Sequence, residues 1–438
     1  MAISPELAFA SNFLDNSGSE YKEKDGVLYR WIGSHWEVVA IGEIEKQALN
    51  WLAEEVAEKC NTRMAASCAS TAIMRASSLP SASHAVIPVL NGYLHFEGSD
   101  IVLKPHDKAI GVTYCLDCNF DKDARAVKFE SFLEGALPDS DIRSYLQEYS
   151  GYTLQSDCRH QIGCWLIGGG GNGKSTFAQV MQALHRKPVS MQLDALEGFN
   201  LAGLVGASLV YCDETPARID EQKLKTLISG DSVQIDRKYR DPIVIRPVAK
   251  WIVSGNALPA ISDHSDGFWR RWFVVPFNTK PKTIQPLLGD IIIKEELSGV
   301  LNWALAGLQR LIARNDTLPP MPAAMLLAQK TGKQQSNSVA AWVSDCDVNI
   351  TSDKPESRKM MYHYYVQWCK INGMKSVSAQ KFWERLGLNF GTSLKYSVTN
   401  NGGRRTQSVN LIVVDLAACF PVGYDHDVGN EVPPDLPV

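Results

Sequence analysis

The chain has 438 residues, more than one compact core usually holds, so two or three domains are expected. Its hydrophobic content of 45% and charged content of 21% are typical of a soluble globular protein. The formal charge of −4 excludes a protein coated all over with basic residues, so any contact with nucleic acid must come from local clusters.

The N-terminus lacks a basic region followed by an apolar core, and no later run of the sequence is apolar enough to span a bilayer. We therefore expect a cytoplasmic protein with no membrane partner. Ten cysteines are scattered along the chain, and Cys212 lies in a predicted core strand. This distribution favours reduced thiols over a disulfide framework.

Residues 1–150 carry no obvious catalytic constellation, and we expect them to form a helix-rich accessory or oligomerisation domain. The predicted elements are two short strands within 26–40, a helix over 41–59, a hairpin at Asn91–Gly92, and helices over 127–137 and 142–149.

A zinc site is the alternative for this block, since Cys115 and Cys118 precede Cys158, His160 and Cys164. The segment around the first two alternates like a strand, which would point their thiols to opposite faces. The downstream spacing is also irregular, so the sequence disfavours zinc.

A glycine loop follows, between the apolar run from Ile162 to Ile167 and a helical run that begins near Lys174. It fits G-x-x-x-x-G-K-[ST], in which backbone N–H groups and a helix N-terminus surround phosphate oxygens. In this motif Lys174 reaches the β and γ phosphates and Ser175 holds magnesium. The predicted nucleotide-binding residues are Gly168, Gly169, Gly170, Gly171, Asn172, Gly173, Lys174, Ser175 and Thr176.

Residues 151–315 alternate apolar strands with helical segments, which predicts a mostly parallel α/β sheet with ligands at the carboxyl ends of its strands. The predicted strands are 164–167, 208–212, 251–254 and 273–276.

Two of these strands end in polar groups suited to nucleotide hydrolysis. The strand ending at Cys212 is followed by Asp213, which would help to hold magnesium, and Glu214, which would polarise the attacking water. The next strand ends at Asn256, whose amide would contact the γ-phosphate or that water. Each feature alone is also typical of a solvated strand end or a turn.

Adjacent arginines, Arg270 and Arg271, precede the last predicted strand. An arginine presented there suits insertion into the site of a neighbouring subunit, which requires a head-to-tail ring.

A hairpin is predicted between the acidic strand and Asn256. Its basic tip, Arg237, Lys238, Tyr239 and Arg240, would grip phosphates and pack on a sugar or base, although a solvated turn has similar composition.

The remaining chain divides into a linker at 316–338, a block of helices followed by a hairpin at 339–420, and a tail at 421–438 that we expect to be disordered. Helices followed by a hairpin predict a winged-helix-like DNA-binding domain.

Together these motifs resemble superfamily 3 helicases, most closely the phage, plasmid and poxvirus-type primase-helicase family. The residues that carry the resemblance are 168–175, 213–214, 229–240, 254–256 and 267–271. It implies an AAA+ P-loop ATPase core, a homo-hexamer, and ATP- and Mg²⁺-dependent translocation along single-stranded DNA, generally 3′ to 5′. By its position Arg271 matches the family's arginine finger better than Arg270, whereas Tyr239 departs from the histidine common at the hairpin tip.

Residues 1–150 show no convincing primase motif, so we expect a helicase that works with a separate primase or polymerase. The main alternative is an ATP-switched replication initiator or loader that melts an origin without processive unwinding. A small-molecule kinase that uses the same loop is a second alternative, but it would leave the hairpin and Arg271 unexplained. A module with an inactive nucleotide site is a third, and the intact Lys174, Asp213 and Glu214 speak against it.

Overall fold

The computed structural model describes residues 3–420 except 17, 19, 82–85, 99, 217–218, 238–239, 260, 262–265, 282–284, 354, 373, 375 and 402–403. These residues form two compact units. The first extends to Pro259 and continues from residue 265 to Ala328, and the second includes the chain from Gln329 onward. The tail expected at 421–438 lies outside the described residues.

The chain is a mixed α/β protein. Its helices are α1 (Pro5–Asn16), α2 (Ile41–Glu55), α3 (Thr62–Arg75), α4 (Val127–Ala136), α5 (Ser140–Thr153), α6 (Lys174–Leu184), α7 (Glu221–Ser229), α8 (Asp266–Trp269), α9 (Leu288–Ala313), α10 (Ala323–Ser336), α11 (Ser338–Asp345), α12 (Arg358–Ile371) and α13 (Ala379–Phe390).

The strands of the first unit form two antiparallel sheets, one parallel sheet and a hairpin. They are β1 (Tyr21–Lys24), β2 (Val27–Trp31), β3 (Trp36–Val38), β4 (Val86–Val89), β5 (Gly92–Glu97), β6 (Asp100–Lys104), β7 (Gly163–Ile167), β8 (Pro188–Ser190), β9 (Leu209–Cys212), β10 (Val233–Arg237), β11 (Arg240–Ile245), β12 (Lys250–Gly255) and β13 (Trp272–Pro276).

The five-stranded sheet positions the predicted site. Its order is β13-β7-β12-β9-β8, and every neighbouring pair is parallel. The four strands predicted for this region are all present, and the sheet confirms the mostly parallel α/β core. The central strands are mostly apolar and almost wholly buried because helices cover both faces of such a sheet.

Helices α5, α6 and α9 pack against this sheet in one continuous apolar core. At the junction of α5 and α9, Gly151 and Gly307 lie so close to the opposite backbone that a Cβ at either position would meet it at 2.4 Å or less. The buried Glu148 carboxylate then pairs with both Arg310 and Arg314. This close approach fixes the end of α5, which leads into β7.

Two expectations for the sequence outside the sheet need correction. Residues 112–120 contain only an isolated bridge at Leu116 and no strand, because their backbone pairs with separate neighbours, such as Pro88, instead of one continuous partner. The segment 316–338, expected to be a linker, contains α10, whose Met325 is fully buried in the core of the first unit.

The second unit packs α11, α12 and α13 around a core that includes Trp342, Tyr365 and Phe382. Its strands are β14 (Val348–Ile350), β15 (Glu356–Ser357), β16 (Tyr396–Asn401), β17 (Arg404–Val409) and β18 (Leu411–Val413). The predicted terminal hairpin is present as β16 and β17, which pair antiparallel from Tyr396 to Val409.

Candidate functional site

The glycine loop lies at the carboxyl end of β7, between that strand and α6. Its conformation needs glycine, since φ is +155° at Gly168, +76° at Gly171 and +95° at Gly173. A Cβ at Gly168 would lie 2.0 Å from the Phe277 carbonyl oxygen. By contrast, Cβ atoms added at 169–171 would meet no heavy atom within 4 Å. The loop is therefore held tightly at its ends and open at its middle.

Lys174 begins α6 and turns back over the loop. Its Nζ donates to the carbonyl oxygens of Gly168 at 2.6 Å and Gly169 at 2.9 Å, and to Oδ1 of Asn172 at 3.0 Å. Burial lowers the pKa of this ammonium group, and the negative charge of Asp213 partly offsets that effect. The structure thus brings the predicted lysine and the predicted acid into electrostatic contact.

Asn172 also ties the loop to the last strand. Its buried amide nitrogen donates to the Phe277 carbonyl oxygen, while the Phe277 nitrogen donates to the Ile167 carbonyl oxygen at 2.6 Å. The sequence marked Asn172 only as a loop residue, so this link to the chain after β13 became visible only in the folded structure.

The predicted acidic residues follow β9 and are exposed. Glu214 has φ of +64°, a left-handed conformation that costs a non-glycine residue about 1–3 kcal/mol. Such strain is common where a side chain must be presented to a ligand. Asp213 accepts a hydrogen bond from the Tyr211 hydroxyl at 2.9 Å. Burial raises the pKa of Tyr211 to about 12, so this hydroxyl keeps its proton at working pH.

The predicted amide, Asn256, directly follows β12 and is exposed. The parallel register places Gly255 beside Ile167 of β7, and Val253 beside Cys212 of β9. The glycine loop, the acidic pair and Asn256 therefore lie along one edge of the sheet, as the sequence predicted.

The pair of arginines lies at the opposite edge. The Arg271 carbonyl oxygen accepts from the Gly163 nitrogen at 2.8 Å, at the start of β7. The length of β7, about 16 Å, separates this backbone from the glycine loop. The Arg271 guanidinium donates from Nε to Ser229 Oγ at 2.9 Å and from Nη1 to the Gly267 carbonyl oxygen, whereas Arg270 is exposed.

The predicted hairpin is present as β10 and β11, with Arg237 and Arg240 facing each other at its end. Lys238 and Tyr239 lie outside the described residues, and of the two flanking arginines only the backbone is described. Ser229, the Arg271 partner, ends α7 four residues before β10. Arg271 therefore contacts the end of the helix that leads into the hairpin, a link that no sequence motif indicated.

Two exposed oxygen donors at this edge of the sheet, Ser175 and Asp213, suit a magnesium ion. Ser175, on the first turn of α6, and Asp213 are both exposed, and their hydroxyl and carboxylate oxygens are the ligands that magnesium prefers. Among the residues that the structure describes, no three His, Cys, Asp or Glu side chains are grouped to hold a metal ion.

Comparisons with known proteins find a family of unknown function and viral proteins named as putative helicases. A family of unknown function, DUF5906, matches residues 166–271, the segment from the glycine loop to Arg271. "Putative helicase L207/L206" of Acanthamoeba polyphaga mimivirus is 28% identical over 173 residues, which cover 36% of this chain and 18% of that protein. "Putative helicase 121R" of Invertebrate iridescent virus 3 is 24% identical over 191 residues, covering 40% and 20% respectively.

The chain therefore resembles proteins named as viral helicases, and it spans about a fifth of the length of these curated relatives. Among solved structures, two apo forms of the NrS-1 C-terminal region match 93% of this chain. The two matches cover 99% and 100% of the solved chains, with sequence identities of 13% and 12% and TM-scores of 0.49 and 0.48.

No helix within the described part of the chain combines the length and apolar character needed to cross a membrane.

Proposed function

We propose that this protein is an ATP-dependent replicative DNA helicase of a phage, virus, plasmid or other mobile element, built on a superfamily 3 AAA+ core. The observation that carries the proposal is the convergence of the glycine loop, Asp213–Glu214 and Asn256 at one edge of a parallel sheet. The viral proteins that match part of this chain are themselves named as putative helicases.

Each residue at this edge has a distinct task. The open middle of the glycine loop accommodates the triphosphate of ATP, and Lys174 supplies positive charge to it. Glu214 takes a proton from the attacking water, and Asn256 orients that water or the terminal phosphate. Ser175 and Asp213 would hold Mg²⁺, which when bound offsets negative charge on the phosphates.

Arg271 lies too far from the glycine loop of its own chain to complete this site. We propose that it acts in trans, in a homo-hexameric ring, where its guanidinium offsets charge on the ATP of the next subunit. Because Arg271 also contacts Ser229 of its own chain, the nucleotide state of the neighbouring subunit is linked to the hairpin of the subunit that donates the arginine.

The hairpin tip, Arg237 to Arg240, binds the backbone of single-stranded DNA in this scheme and moves with hydrolysis. Movement is 3′ to 5′, residues 1–150 support assembly, and residues 339–420 form a winged-helix-like domain that contacts DNA. Priming is supplied by a separate primase or polymerase.

Two measurements test the proposal together: the mass of the assembly with ATP and single-stranded DNA, and the rate of ATP hydrolysis with and without that DNA. We expect a ring and a several-fold faster rate. A protein that remains monomeric and whose rate does not respond to DNA would contradict the proposal.

Displacement of long duplexes separates the helicase from a replication initiator, which would hydrolyse ATP and melt only a short origin. The Lys238→Ala variant should lose displacement and DNA-stimulated hydrolysis far more than hydrolysis without DNA. Normal displacement by this variant would show that the hairpin does not move the strand.

A further inference from the structure

Tyr211 makes a contact at the nucleotide edge that the proposed catalytic residues do not explain. It lies on β9, is 8% exposed, and its hydroxyl donates to Asp213 Oδ1 at 2.9 Å. The Ser254 hydroxyl of the neighbouring strand β12 lies 3.3 Å from the same phenol oxygen. The Tyr211 hydroxyl therefore joins the predicted metal-binding carboxylate of Asp213 to β12, the strand that Asn256 directly follows.

A second connection reaches the same residue of β12 from the loop after the acidic pair. The Thr215 hydroxyl donates to the Ser254 carbonyl oxygen at 3.3 Å, and Trp165 Nε1 lies 3.3 Å from the Thr215 hydroxyl oxygen. A Cβ at Gly255 would meet that oxygen at 2.1 Å, so the loop packs directly on the strand. Ser254 is thus contacted at its hydroxyl by Tyr211 and at its carbonyl oxygen by Thr215.

Packing alone does not call for a hydroxyl at position 211. The other β9 residues are buried and apolar, and phenylalanine would fill the same space without the cost of burying a polar group. A buried hydroxyl is retained at no loss only when it has partners, and here both partners belong to the nucleotide edge.

We propose that Tyr211 is a positioning residue: it holds the Asp213 carboxylate in the orientation that binds Mg²⁺ and couples it to the β12 strand that carries Asn256. The inference rests on the proposed function. The phenol does not touch substrate; it fixes one carboxylate oxygen of Asp213, which would hold Mg²⁺, and Ser254 transmits the same constraint to Asn256.

The test is the Tyr211→Phe variant, which keeps the ring and removes only the hydroxyl. Since a hydrogen bond to a charged group contributes about 1.5–3 kcal/mol, we expect kcat for ATP to fall at least about tenfold. Binding gives a readout independent of turnover. ADP affinity measured in EDTA should be unchanged, and the gain in affinity on adding Mg²⁺ should shrink by a similar factor.

Tyr149→Phe is the matched control. Its hydroxyl is also buried and donates to β12, at the Trp251 carbonyl oxygen at 2.6 Å, but it lies away from Asp213. This variant should lose stability and keep the full Mg²⁺-dependent gain in ADP affinity. Ser254→Ala should lower kcat less than Tyr211→Phe, and the double variant should be no worse than Tyr211→Phe alone, because both act through one chain of contacts.

An unchanged kcat and Mg²⁺-dependent gain in Tyr211→Phe would overturn the inference and leave the proposed function intact. An equal loss of both quantities in Tyr149→Phe would overturn it too, since general weakening of β12 would then be sufficient. If the unsubstituted protein neither binds ADP nor hydrolyses ATP, the proposed function itself fails.

Discussion

Polar side chains at the two edges of the five-stranded sheet differ in how exposed they are. At the carboxyl edge Ser175, Asp213, Glu214 and Asn256 are exposed, and one of them has strained backbone. At the amino edge Lys250 is 2% exposed, and its Nζ donates to the Gln155 carbonyl oxygen and lies 5.1 Å from the Tyr152 ring centroid.

His185 completes the amino edge. It is 1% exposed, with its ring nitrogens 2.9 Å from Ser208 Oγ and 3.2 Å from Thr153 Oγ1. Burial, together with the charge of Lys250, lowers the pKa of His185 to about 3, so the imidazole is neutral. The acids and the amide at the carboxyl edge are left accessible to a ligand, whereas Lys250 and His185 at the amino edge are engaged in internal contacts. Substitutions should therefore change activity at the first edge and stability at the second.

Lys174→Ala should have the largest effect at the carboxyl edge. Loss of its positive charge should reduce ATP turnover by about 10³-fold or more. Turnover above a tenth of the unsubstituted rate would show that the loop does not bind the reacting phosphates.

Arg271→Ala tests whether the amino edge also serves a neighbouring subunit. If the guanidinium acts in trans, the assembled protein should lose about 10³-fold in turnover. Mixing this variant with Lys174→Ala should restore part of the activity, because some interfaces then combine an intact loop with an intact arginine. Arg270→Ala is the control, and a loss confined to that variant would assign the role to Arg270 instead.

Variants at Glu214 separate the effect of backbone strain on stability from the effect of the carboxylate on turnover. Glu214→Gln should lower turnover about 10²-fold through loss of the proton acceptor. Glu214→Gly should be equally inactive yet more stable than Glu214→Ala by about 1 kcal/mol, because only glycine adopts the positive φ without strain. Chemical denaturation of the alanine and glycine variants measures this difference, and equal midpoints would remove the argument for strain.

Lys250→Met should change stability with the least effect on turnover. Burial lowers the pKa of Lys250 from 10.5 to about 8. Between these values the unfolded chain binds more protons than the folded one, so the free energy of unfolding of the unsubstituted protein should rise with pH. The rise is at most about 3 kcal/mol, since each pKa unit corresponds to about 1.4 kcal/mol.

The methionine variant should lack this rise, so its free energy of unfolding relative to that of the unsubstituted protein should fall from pH 7 toward pH 10.5. Denaturant midpoints at pH 7, 9 and 10 measure the trend. Turnover at pH 7 should stay within about threefold. A parallel pH dependence in both proteins would show that Lys250 is not the titrating group.

The sequence by itself determined the strands β7, β9, β12 and β13, the glycine loop and the polar residues that follow two of these strands. Such features are local: a buried parallel strand is a short apolar run, and a turn with positive φ needs glycine. The carboxyl ends of parallel strands meet at one edge, so the sequence also predicted which motifs converge.

Tertiary structure alone decided the strand order, the contact of Arg271 with Ser229, and the internal pairing of Lys250. The alternating segment 112–120 suggested a strand, but its backbone pairs with separate neighbours and not with one continuous partner strand. Tyr211 belongs with the second group. No sequence motif indicated its role, and its contact with Ser254 joins residues some forty positions apart in the chain. Contacts between residues distant in sequence are set by packing, which no local periodicity encodes.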